Sequence, residues 1–199
     1  MKSIPPFKLA WPFMILLLAI GVGVQLFVLD PSKEDQALYD AAKKGDLSAV
    51  QTLLDEDADP NAMITYELLG TEYKETALRA AAGEGHTAIV KLLIEQEVDI
   101  EKESSLGKEA PLLAASYMGH IETVRLLLAA KARVDHPNKW GKTPLMWASD
   151  KGHIEVMRLL LKAGANRQLK DEDGKTALDY ANAHNDAALK AQMLALLKS

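Results

Sequence analysis

The sequence contains no cysteine, and this absence excludes several classes of protein. Without thiols the chain has no disulfide framework, no cysteine nucleophile and no thiolate metal site. Aromatic residues are scarce as well, at 6% of the 199 residues. Charged residues make up 26% and apolar residues 48%, which are ordinary proportions for a folded protein. The composition therefore predicts a folded chain held together by apolar packing.

Catalytic motifs are also missing from the chain. It has no H-E-x-x-H, no G-x-S-x-G and no G-x-x-x-x-G-K phosphate loop. The H-x-E pattern of zinc deaminases occurs at His120-Ile121-Glu122 and at His153-Ile154-Glu155, but the cysteines of that site are absent from the sequence. Gly83-Glu84-Gly85 lacks the third glycine of a dinucleotide site. We therefore expect no catalytic residue, no cofactor and no metal, and an enzyme with an unrecognised site is the remote alternative.

One stretch, WGKTPLMWASDKGHIEVMRLLLKAGAN at 140–166, shows how the chain is built. Thr143-Pro144-Leu145 predicts a helix start, because proline at the first helical position loses no hydrogen bond. Gly152-His153 predicts a break before a second helix, and Gly164 supplies the left-handed residue that ends it. Helices of about ten residues are marginal in water. The pair therefore needs neighbours to pack against.

The landmarks of this stretch recur along the chain. The opening leucine recurs at spacings of 40, 34, 33 and 33, as Leu38, Leu78, Leu112, Leu145 and Leu178. The break recurs as Gly45, Gly85, Gly119, Gly152 and Asn185. Three breaks are followed by histidine, as His86, His120 and His153. A period near 33 with a T-P-L start is typical of ankyrin repeats, so the chain resembles an ankyrin repeat protein from about Asp35 to Leu197.

The resemblance implies an all-α repeat fold, an ankyrin solenoid of about five helix-turn-helix repeats with β-hairpin fingers. The ankyrin domain is predicted at 35–199, with repeats at about 35–70, 71–104, 105–137, 138–170 and 171–199. The last repeat reads as a C-terminal cap because its helices are more polar. The family uses the recurring histidine to tie adjacent loops, and the long connection Ala62–Glu75 predicts the longest finger.

The closing glycine of the repeat survives only at Gly164. Asp57, Glu97 and Lys131 stand in the corresponding places of earlier repeats. A residue with a side chain is strained in the left-handed conformation that glycine adopts freely. We expect those repeats to be less stable by up to about 1 kcal/mol each.

The N-terminal residues form a separate region of three parts. Residues 1–8 are a short basic segment, 9–29 a predicted transmembrane helix or signal anchor, and 30–34 a short linker. Leu9–Leu29 contains 21 residues without a charge, enough to span about 30 Å of bilayer core. Lys2 and Lys8 before this stretch predict a cytoplasmic N-terminus. If the source is a Gram-negative bacterium, which we assume, this orientation predicts periplasmic repeats tethered to the inner membrane.

A cleaved signal peptide is the alternative interpretation of the same residues. Ala19-x-Gly21 has the small-x-small pattern of a cleavage site. Cleavage there releases a soluble periplasmic protein but leaves an apolar terminus, so we favour the uncut anchor. The region after Leu29 has 21 basic and 28 acidic residues, a net charge of −7. Such a domain binds nucleic acid poorly, so a protein partner is expected, and no small-molecule substrate is evident.

The candidate partner-binding residues come from the resemblance. In the family, partners dock on the concave side, which is formed by finger tips and by exposed positions of each first helix. The resemblance places Tyr73, Leu106 and Trp140 at finger tips, and Tyr117, Met118, Trp147 and Tyr180 at first-helix positions outside the core. Tryptophan and tyrosine dominate binding energy at interfaces. The alternative for each ring is that it packs on its own finger or on a neighbouring repeat.

The function predicted from these observations is non-catalytic protein binding by a membrane-tethered solenoid. Stacked repeats hold the concave side rigid, so little entropy is lost when a partner docks. The alternative within binding is an inhibitor or immunity-type protein that sequesters an extracytoplasmic enzyme, which demands a much tighter complex.

Overall fold

The computed structural model describes residues 32–68 and 71–198, which form ten helices and one two-stranded sheet. The helices are α1 (Lys33–Lys44), α2 (Leu47–Asp55), α3 (Ala77–Glu84), α4 (Thr87–Glu95), α5 (Pro111–Met118), α6 (Ile121–Ala129), α7 (Pro144–Lys151), α8 (Ile154–Lys162), α9 (Ala177–Ala183) and α10 (Ala187–Lys198). The strands β1 (Ile64–Leu68) and β2 (Thr71–Glu75) form an antiparallel hairpin. Consecutive helices pair into five units, which confirms the predicted all-α repeat architecture.

The predicted transmembrane helix Leu9–Leu29 lies outside the described residues. Among the residues that are described, no helix has the length and apolar character needed to cross a bilayer.

The first helix of each unit begins at a capping residue, with one exception. Ser32 and Asp35 exchange hydrogen bonds of 3.0 Å between side chain and backbone, which is a capping box. Because α1 begins at Lys33, two residues of the predicted linker 30–34 are helical. Threonine side chains cap α3, α7 and α9, whereas α5 follows Ala110 and has no side-chain cap.

One apolar core runs through all five units. First helices pack on first helices and second helices on second helices, in a single row. The opening leucines of the first four units are at most 1% exposed, as Leu38, Leu78, Leu112 and Leu145. Leu178 of the last unit is half-buried and packs at the edge of the same core. Neither helix of a unit hides its apolar face alone, so the units depend on one another.

The recurring histidines tie each unit to the one before it, as the resemblance predicts. The Nε2 atom of His120 lies 2.9 Å from the carbonyl oxygen of Gly83. His86 and His153 make the equivalent contacts at 3.1 and 3.0 Å. The His120 ring covers Gly85, whose φ is +77°, and a Cβ there would lie 2.5 Å from the ring. The break therefore needs glycine both for its conformation and for this close approach.

The residues that close the second helices adopt the left-handed conformation that their alignment with Gly164 predicts. Asp57, Glu97 and Lys131 have φ of 68°, 55° and 71°, beside 92° at Gly164. These three residues adopt the left-handed conformation in spite of their side chains, so the closing turn keeps its shape and carries the strain locally.

The fingers between units form a hydrogen-bonded ladder. Regular strands occur only in the first finger among the described residues, so the expectation of a β-hairpin in every finger is wrong. The shorter fingers are turns, whose backbone donors are satisfied by side chains of the same finger and by carbonyl groups of the preceding finger. Backbone N–H groups of Ser105, Lys139 and Glu172 donate to carbonyl oxygens of Lys74, Gly107 and Trp140, over 2.8, 2.7 and 3.0 Å.

Candidate functional site

Asn138 shapes the finger that precedes α7. Its Oδ1 accepts hydrogen bonds of 3.0 Å from the backbone N–H groups of Trp140 and Lys142. The turn closes with the N–H of Asn138 donating to the carbonyl oxygen of Lys142 over 2.9 Å. Trp140 lies at the tip and is 44% exposed, and the Lys139 ammonium sits 4.4 Å from its ring centroid. The finger therefore presents an indole on a turn that its own sequence holds in shape.

Asp171 does the same in the next finger. Its Oδ1 accepts from the backbone N–H groups of Asp173 and Lys175, over 3.0 and 2.9 Å. The two fingers approach closely, since a Cβ on Gly141 would lie 3.1 Å from the Cα of Asp171. The N–H of Glu172 completes the contact by donating to the carbonyl oxygen of Trp140 over 3.0 Å. The acidic finger is thereby fixed beside Trp140.

Helix α7 contributes the second indole. Trp147 is half-buried, and its ring meets Tyr117 of the preceding unit edge to face, with ring centroids 4.8 Å apart. Such pairs contribute about 0.5–1.5 kcal/mol beyond the area they bury. The Nε1 of Trp147 is buried without a hydrogen-bond acceptor. A buried donor that lacks an acceptor is uncommon in native proteins and calls for an explanation.

Lysines lie over the rings of this surface. The Lys142 ammonium is 4.1 Å from the ring centroid of Trp147 and 4.2 Å from that of Tyr180. The Lys151 ammonium is 4.9 Å from the ring centroid of Tyr117. These cation–π contacts keep the lysine stems against aromatic faces.

A groove of about 310 Å³ lies between the two fingers and α7. It is lined by Trp140, Lys142, Trp147, Asp171, Glu172 and Asp173, and we refer to these six residues as the aromatic groove.

The electrostatics of the aromatic groove are set by Asp171. Burial acts to raise the pKa of Asp171, but hydrogen bonds from Tyr180 and from two backbone N–H groups, with the charge of Lys142, hold that pKa below its usual value. Asp171 is therefore a carboxylate at neutral pH. Burial and the hydrogen bond to Asp171 raise the pKa of Tyr180, which stays a neutral donor. The six groove residues thus include one cation and three carboxylates, and Lys175, outside the groove, pairs with Asp173 over 3.5 Å.

The structure brings several predicted partner-binding residues together. Trp140 and Trp147 line the aromatic groove, and Tyr117 and Met118 lie beside it on α5, 37% and 49% exposed. Leu106 is 46% exposed in the finger before α5. Four of these five residues are exposed, and Trp147 is the half-buried one.

Two predicted positions differ from the structure. Tyr180 is only 8% exposed, because its hydroxyl reaches back to Asp171 and its ring packs under Lys142. It supports the groove instead of lining it. Tyr73 does not lie at a finger tip, because the hairpin register pairs it with Tyr66 in the middle of β2. Its ring contacts that of Tyr66, with centroids 5.7 Å apart.

A buried polar network that the sequence did not predict lies between the first three units. The Tyr39 hydroxyl donates to Glu75 over 2.5 Å, and Arg79 bridges Glu75 and Glu109 with ion pairs of 2.6 Å each. Glu75 is 3% exposed. Tyr39 and Arg79 directly follow the opening leucines Leu38 and Leu78, at the position where ankyrin repeats usually carry the histidine of T-P-L-H. A polar pair at those two positions was the available signal. Burial and Glu75 raise the pKa of Tyr39, so the phenol stays protonated.

A second missed cluster joins two neighbouring fingers. His136 is 6% exposed, and its Nδ1 and Nε2 lie 2.5 and 2.8 Å from carboxylate oxygens of Glu101 and Glu103. Burial acts to raise the pKa of Glu101, and hydrogen bonds from Arg133 and His136 outweigh that effect and lower it. The described residues contain no group of metal-ligating side chains suited to an ion. We assign this cluster to finger-to-finger support.

Comparison with known proteins identifies the repeats. A family model described as ankyrin repeats (3 copies) matches residues 38–138 and 112–194. Ankyrin repeat and SAM domain-containing protein 6 of Mus musculus is 34% identical over 114 residues, 57% of this chain and 12% of that protein. The transient receptor potential cation channel subfamily A member 1 homolog of Caenorhabditis elegans is 35% identical over 102 residues, 51% of this chain and 8% of that protein.

A third relative carries the name of an enzyme. The probable E3 ubiquitin-protein ligase XBOS32 of Oryza sativa subsp. japonica is 33% identical over 103 residues, 52% of this chain and 20% of that protein. The chain therefore spans at most a fifth of the length of these three relatives.

Proposed function

The chain belongs to the ankyrin repeat family, and on that premise we propose that it is a non-catalytic module that binds a protein partner through the aromatic groove. Ankyrin repeats generally mediate protein–protein interaction, and the matched region covers nearly all of the described residues. The observation that carries the proposal is the pair of indoles in one groove, the exposed Trp140 and the half-buried Trp147, beside two fingers whose turns are fixed by Asn138 and Asp171.

The exposed apolar side chains support this proposal. Trp140, Tyr117 and Met118 are 44%, 37% and 49% exposed on neighbouring units. Exposed apolar patches on folded proteins usually mark interaction sites, and Trp and Tyr are the residues that most often dominate binding energy. The unpaired N–H of Trp147 fits the same interpretation, because a carbonyl group of a docked partner would supply the missing acceptor.

The mixed charge of the aromatic groove favours a polypeptide over a nucleic acid or a lipid surface. Asp171, Glu172 and Asp173 would repel phosphate groups, and the net charge of −7 after Leu29 adds to that repulsion. A protein partner offers apolar anchors for the indoles together with both signs of charge at its rim.

The test is site-specific photocrosslinking in the full chain, followed by affinity measurement. A benzoylphenylalanine replaces Trp140 in one variant and Arg158, on the outer helix α8, in the control. We expect one protein to crosslink from position 140 and not from 158. The purified partner is then titrated against Trp140→Ala and Tyr117→Ala, and each substitution is expected to raise Kd at least tenfold, or about 1.4 kcal/mol.

Two further variants separate binding from folding. Trp147→Phe keeps most of the ring contact with Tyr117 but removes the indole N–H, and it should raise Kd without lowering Tm by more than a few degrees. Ile121→Ala removes a side chain of similar exposure, 38%, from α6 and should leave Kd unchanged. Equal effects of Ile121→Ala and Trp140→Ala, or crosslinking from 158 alone, would refute the aromatic groove as the binding site.

We also propose that the module is tethered to the inner membrane with its repeats in the periplasm. The support is the uncharged stretch Leu9–Leu29 with Lys2 and Lys8 before it. Alkaline phosphatase or green fluorescent protein fused after Ser199 reports the compartment, since the first is active outside the cytoplasm and the second inside. Activity of the phosphatase in the membrane fraction supports the proposal. A mature chain that begins after Gly21, or fluorescence of the second fusion, contradicts it.

A further inference from the structure

The hairpin β1–β2 leaves one strand edge open. The outer edge of β2 is occupied, because the N–H of Ser105 donates to the carbonyl oxygen of Lys74 over 2.8 Å and the N–H of Lys74 donates to the Ser105 hydroxyl over 2.7 Å. This contact is the first step of the finger ladder. Among the described residues nothing pairs with the outer edge of β1.

The register shows which groups the open edge presents. Backbone groups alternate in direction along an antiparallel strand. Lys74 points away from β1, and it is paired with Thr65, so Thr65 points away from β2. Glu67, two residues further along β1, points the same way. Thr65 and Glu67 make no hydrogen bond to any described residue outside the hairpin. Their N–H and C=O groups therefore form an unpaired template for another strand.

The side chains at this edge carry an unrelieved negative charge. Glu67 and Glu72 lie directly opposite one another in the hairpin, in a pair whose side chains are close. Like charges directly opposite each other destabilise a sheet. Both glutamates are exposed, and neither forms an ion pair with a described residue. Lys74 lies on the same face of the hairpin without reaching either carboxylate.

We propose that the open edge of β1 binds an extended, basic peptide segment of a protein partner, which adds a strand to the hairpin. The segment continues the finger ladder on the side opposite to Ser105. Its backbone pairs with Thr65 and Glu67, and its lysine or arginine side chains neutralise Glu67 and Glu72. Main-chain pairing of this kind gives affinity while side chains give specificity. The surface shares no residue with the aromatic groove and does not depend on that site.

The negative charge of Glu67 and Glu72 favours a basic segment at the open edge of β1. An acidic or phosphorylated segment would add a third negative charge beside two that already repel each other. A basic segment removes that repulsion and also approaches a domain whose net charge is −7. The two strands are held to the helices by Ile64, which is 1% exposed, and by stacking of Tyr66 on Tyr39. The template is therefore fixed before the segment arrives.

The test measures strand addition to the full chain. The probe is a fluorescein-labelled octapeptide of alternating lysine and valine, followed by fluorescence anisotropy. Two matched peptides serve as controls, one with glutamate in place of lysine and one with alternate backbone nitrogens methylated. We expect the basic peptide to bind at least tenfold more tightly than either control. Amide hydrogen exchange should slow at Thr65 and Glu67 and stay unchanged at Tyr66, whose N–H already pairs with β2.

Substitutions in the chain complete the test. Glu67→Lys with Glu72→Lys should weaken binding at least tenfold, whereas Glu56→Lys with Glu84→Lys, the same charge change at exposed glutamates elsewhere, should change Kd less than threefold. Thr65→Pro removes one outward N–H, and proline is tolerated at a sheet edge. Thr65→Pro should weaken binding about tenfold. The variant Glu67→Gln with Glu72→Gln tests the same edge without introducing a proline.

Several outcomes would overturn the proposal. Equal binding of the N-methylated peptide would show attraction without strand pairing. Equal binding to the Glu67→Lys and Glu72→Lys variant would remove the assigned role of charge. Self-association of the full chain that is abolished by Thr65→Pro would identify a second copy as the occupant of the edge.

Discussion

The three closing residues that are not glycine allow a direct test of strain in this solenoid. Asp57, Glu97 and Lys131 hold φ of 68°, 55° and 71°, and their side chains make no hydrogen bond or ion pair with any residue that the structure describes. A residue with a side chain loses about 1–2 kcal/mol in this conformation. Glycine removes that strain but gains about 0.4–1 kcal/mol of freedom in the unfolded chain. Lys131→Gly is therefore expected to raise the free energy of unfolding by about 0.5–1 kcal/mol.

Gly164 provides the reverse substitution. Its φ is 92° and a Cβ there would meet nothing within 4 Å, so Gly164→Ala reports backbone strain without a clash. We expect a loss of about 1 kcal/mol. At Gly119 the added Cβ would lie 2.7 Å from the His153 ring, so Gly119→Ala should cost more. The double variant Gly119→Ala/His153→Ala should recover the difference between the two alanine substitutions.

Urea denaturation followed by circular dichroism measures these changes. In a domain of this size about 1 kcal/mol corresponds to roughly 2–4 °C in Tm. The triple variant at Asp57, Glu97 and Lys131 should gain about 1.5–3 kcal/mol, because the three sites share no contact and their effects add. If Lys131→Gly lowers the free energy of unfolding and Gly164→Ala raises it, the freedom of the unfolded chain outweighs the strain and the reasoning is wrong.

Three other predictions follow from the caps and the buried network. Ala110→Thr supplies the missing side-chain cap of α5 and should raise the free energy of unfolding by about 1 kcal/mol in the same urea assay, whereas no gain would show that the turn already satisfies its donors. Arg79→Met leaves Glu75 buried without a cation and should lower the free energy of unfolding by about 3 kcal/mol, and a loss below 1 kcal/mol would mean that Tyr39 alone satisfies it. Because the pKa of Tyr39 is raised in the folded state, its contribution is complete below about pH 10 and is lost as the pH rises above that value. Near pH 11 the folded protein and Tyr39→Phe should therefore show equal phenolate absorbance, while their unfolded chains differ by one tyrosine.

The repeats and their breaks were predictable because each depends on a short local pattern. A glycine followed by histidine specifies both the left-handed turn and the tie to the preceding unit, as at Gly119 and His120. The positions of the closing residues and of the longest finger were predicted from the same comparison of one repeat with the next. The five-unit row follows from them, because paired short helices have no other way to bury their apolar faces.

The candidate site was predictable only in part, because it depends on contacts between units. The sequence identified Trp140 and Trp147, but the burial of Tyr180 depends on Asp171 in the preceding finger. The position predicted for Tyr73 was wrong because the sequence alone does not fix which residues of a hairpin pair with one another. The role of Lys142 was not predicted, because it depends on contacts of its ammonium with two rings, at 4.1 and 4.2 Å from their centroids. Only the stacking of units brings those rings together.

The third unit, formed by α5 and α6, lies in the middle of the row and has the least favourable helix ends. Its first helix lacks a side-chain cap and its second closes with Lys131 in a strained conformation. Contacts with its neighbours offset these defects, through Glu109 to Arg79 and through His136 to Glu101. In a solenoid, stability is the sum of each repeat's own stability and of the interfaces between neighbours. The third unit therefore depends more on its interfaces than the others do.

That dependence makes the middle of the row sensitive to acid. Hydrogen bonds from Arg133 and His136 lower the pKa of Glu101 below its ordinary 4.5, despite partial burial. A carboxylate with a lowered folded pKa contributes stability that is present above the ordinary value and is lost as the pH falls through the folded value. Protonation of Glu101 removes the acceptor that holds Arg133 and His136 in place. Acid should therefore weaken the contact between the fingers of Glu101 and His136, and by the same argument the turn that Asp171 holds beside the aromatic groove, because the pKa of Asp171 is lowered as well.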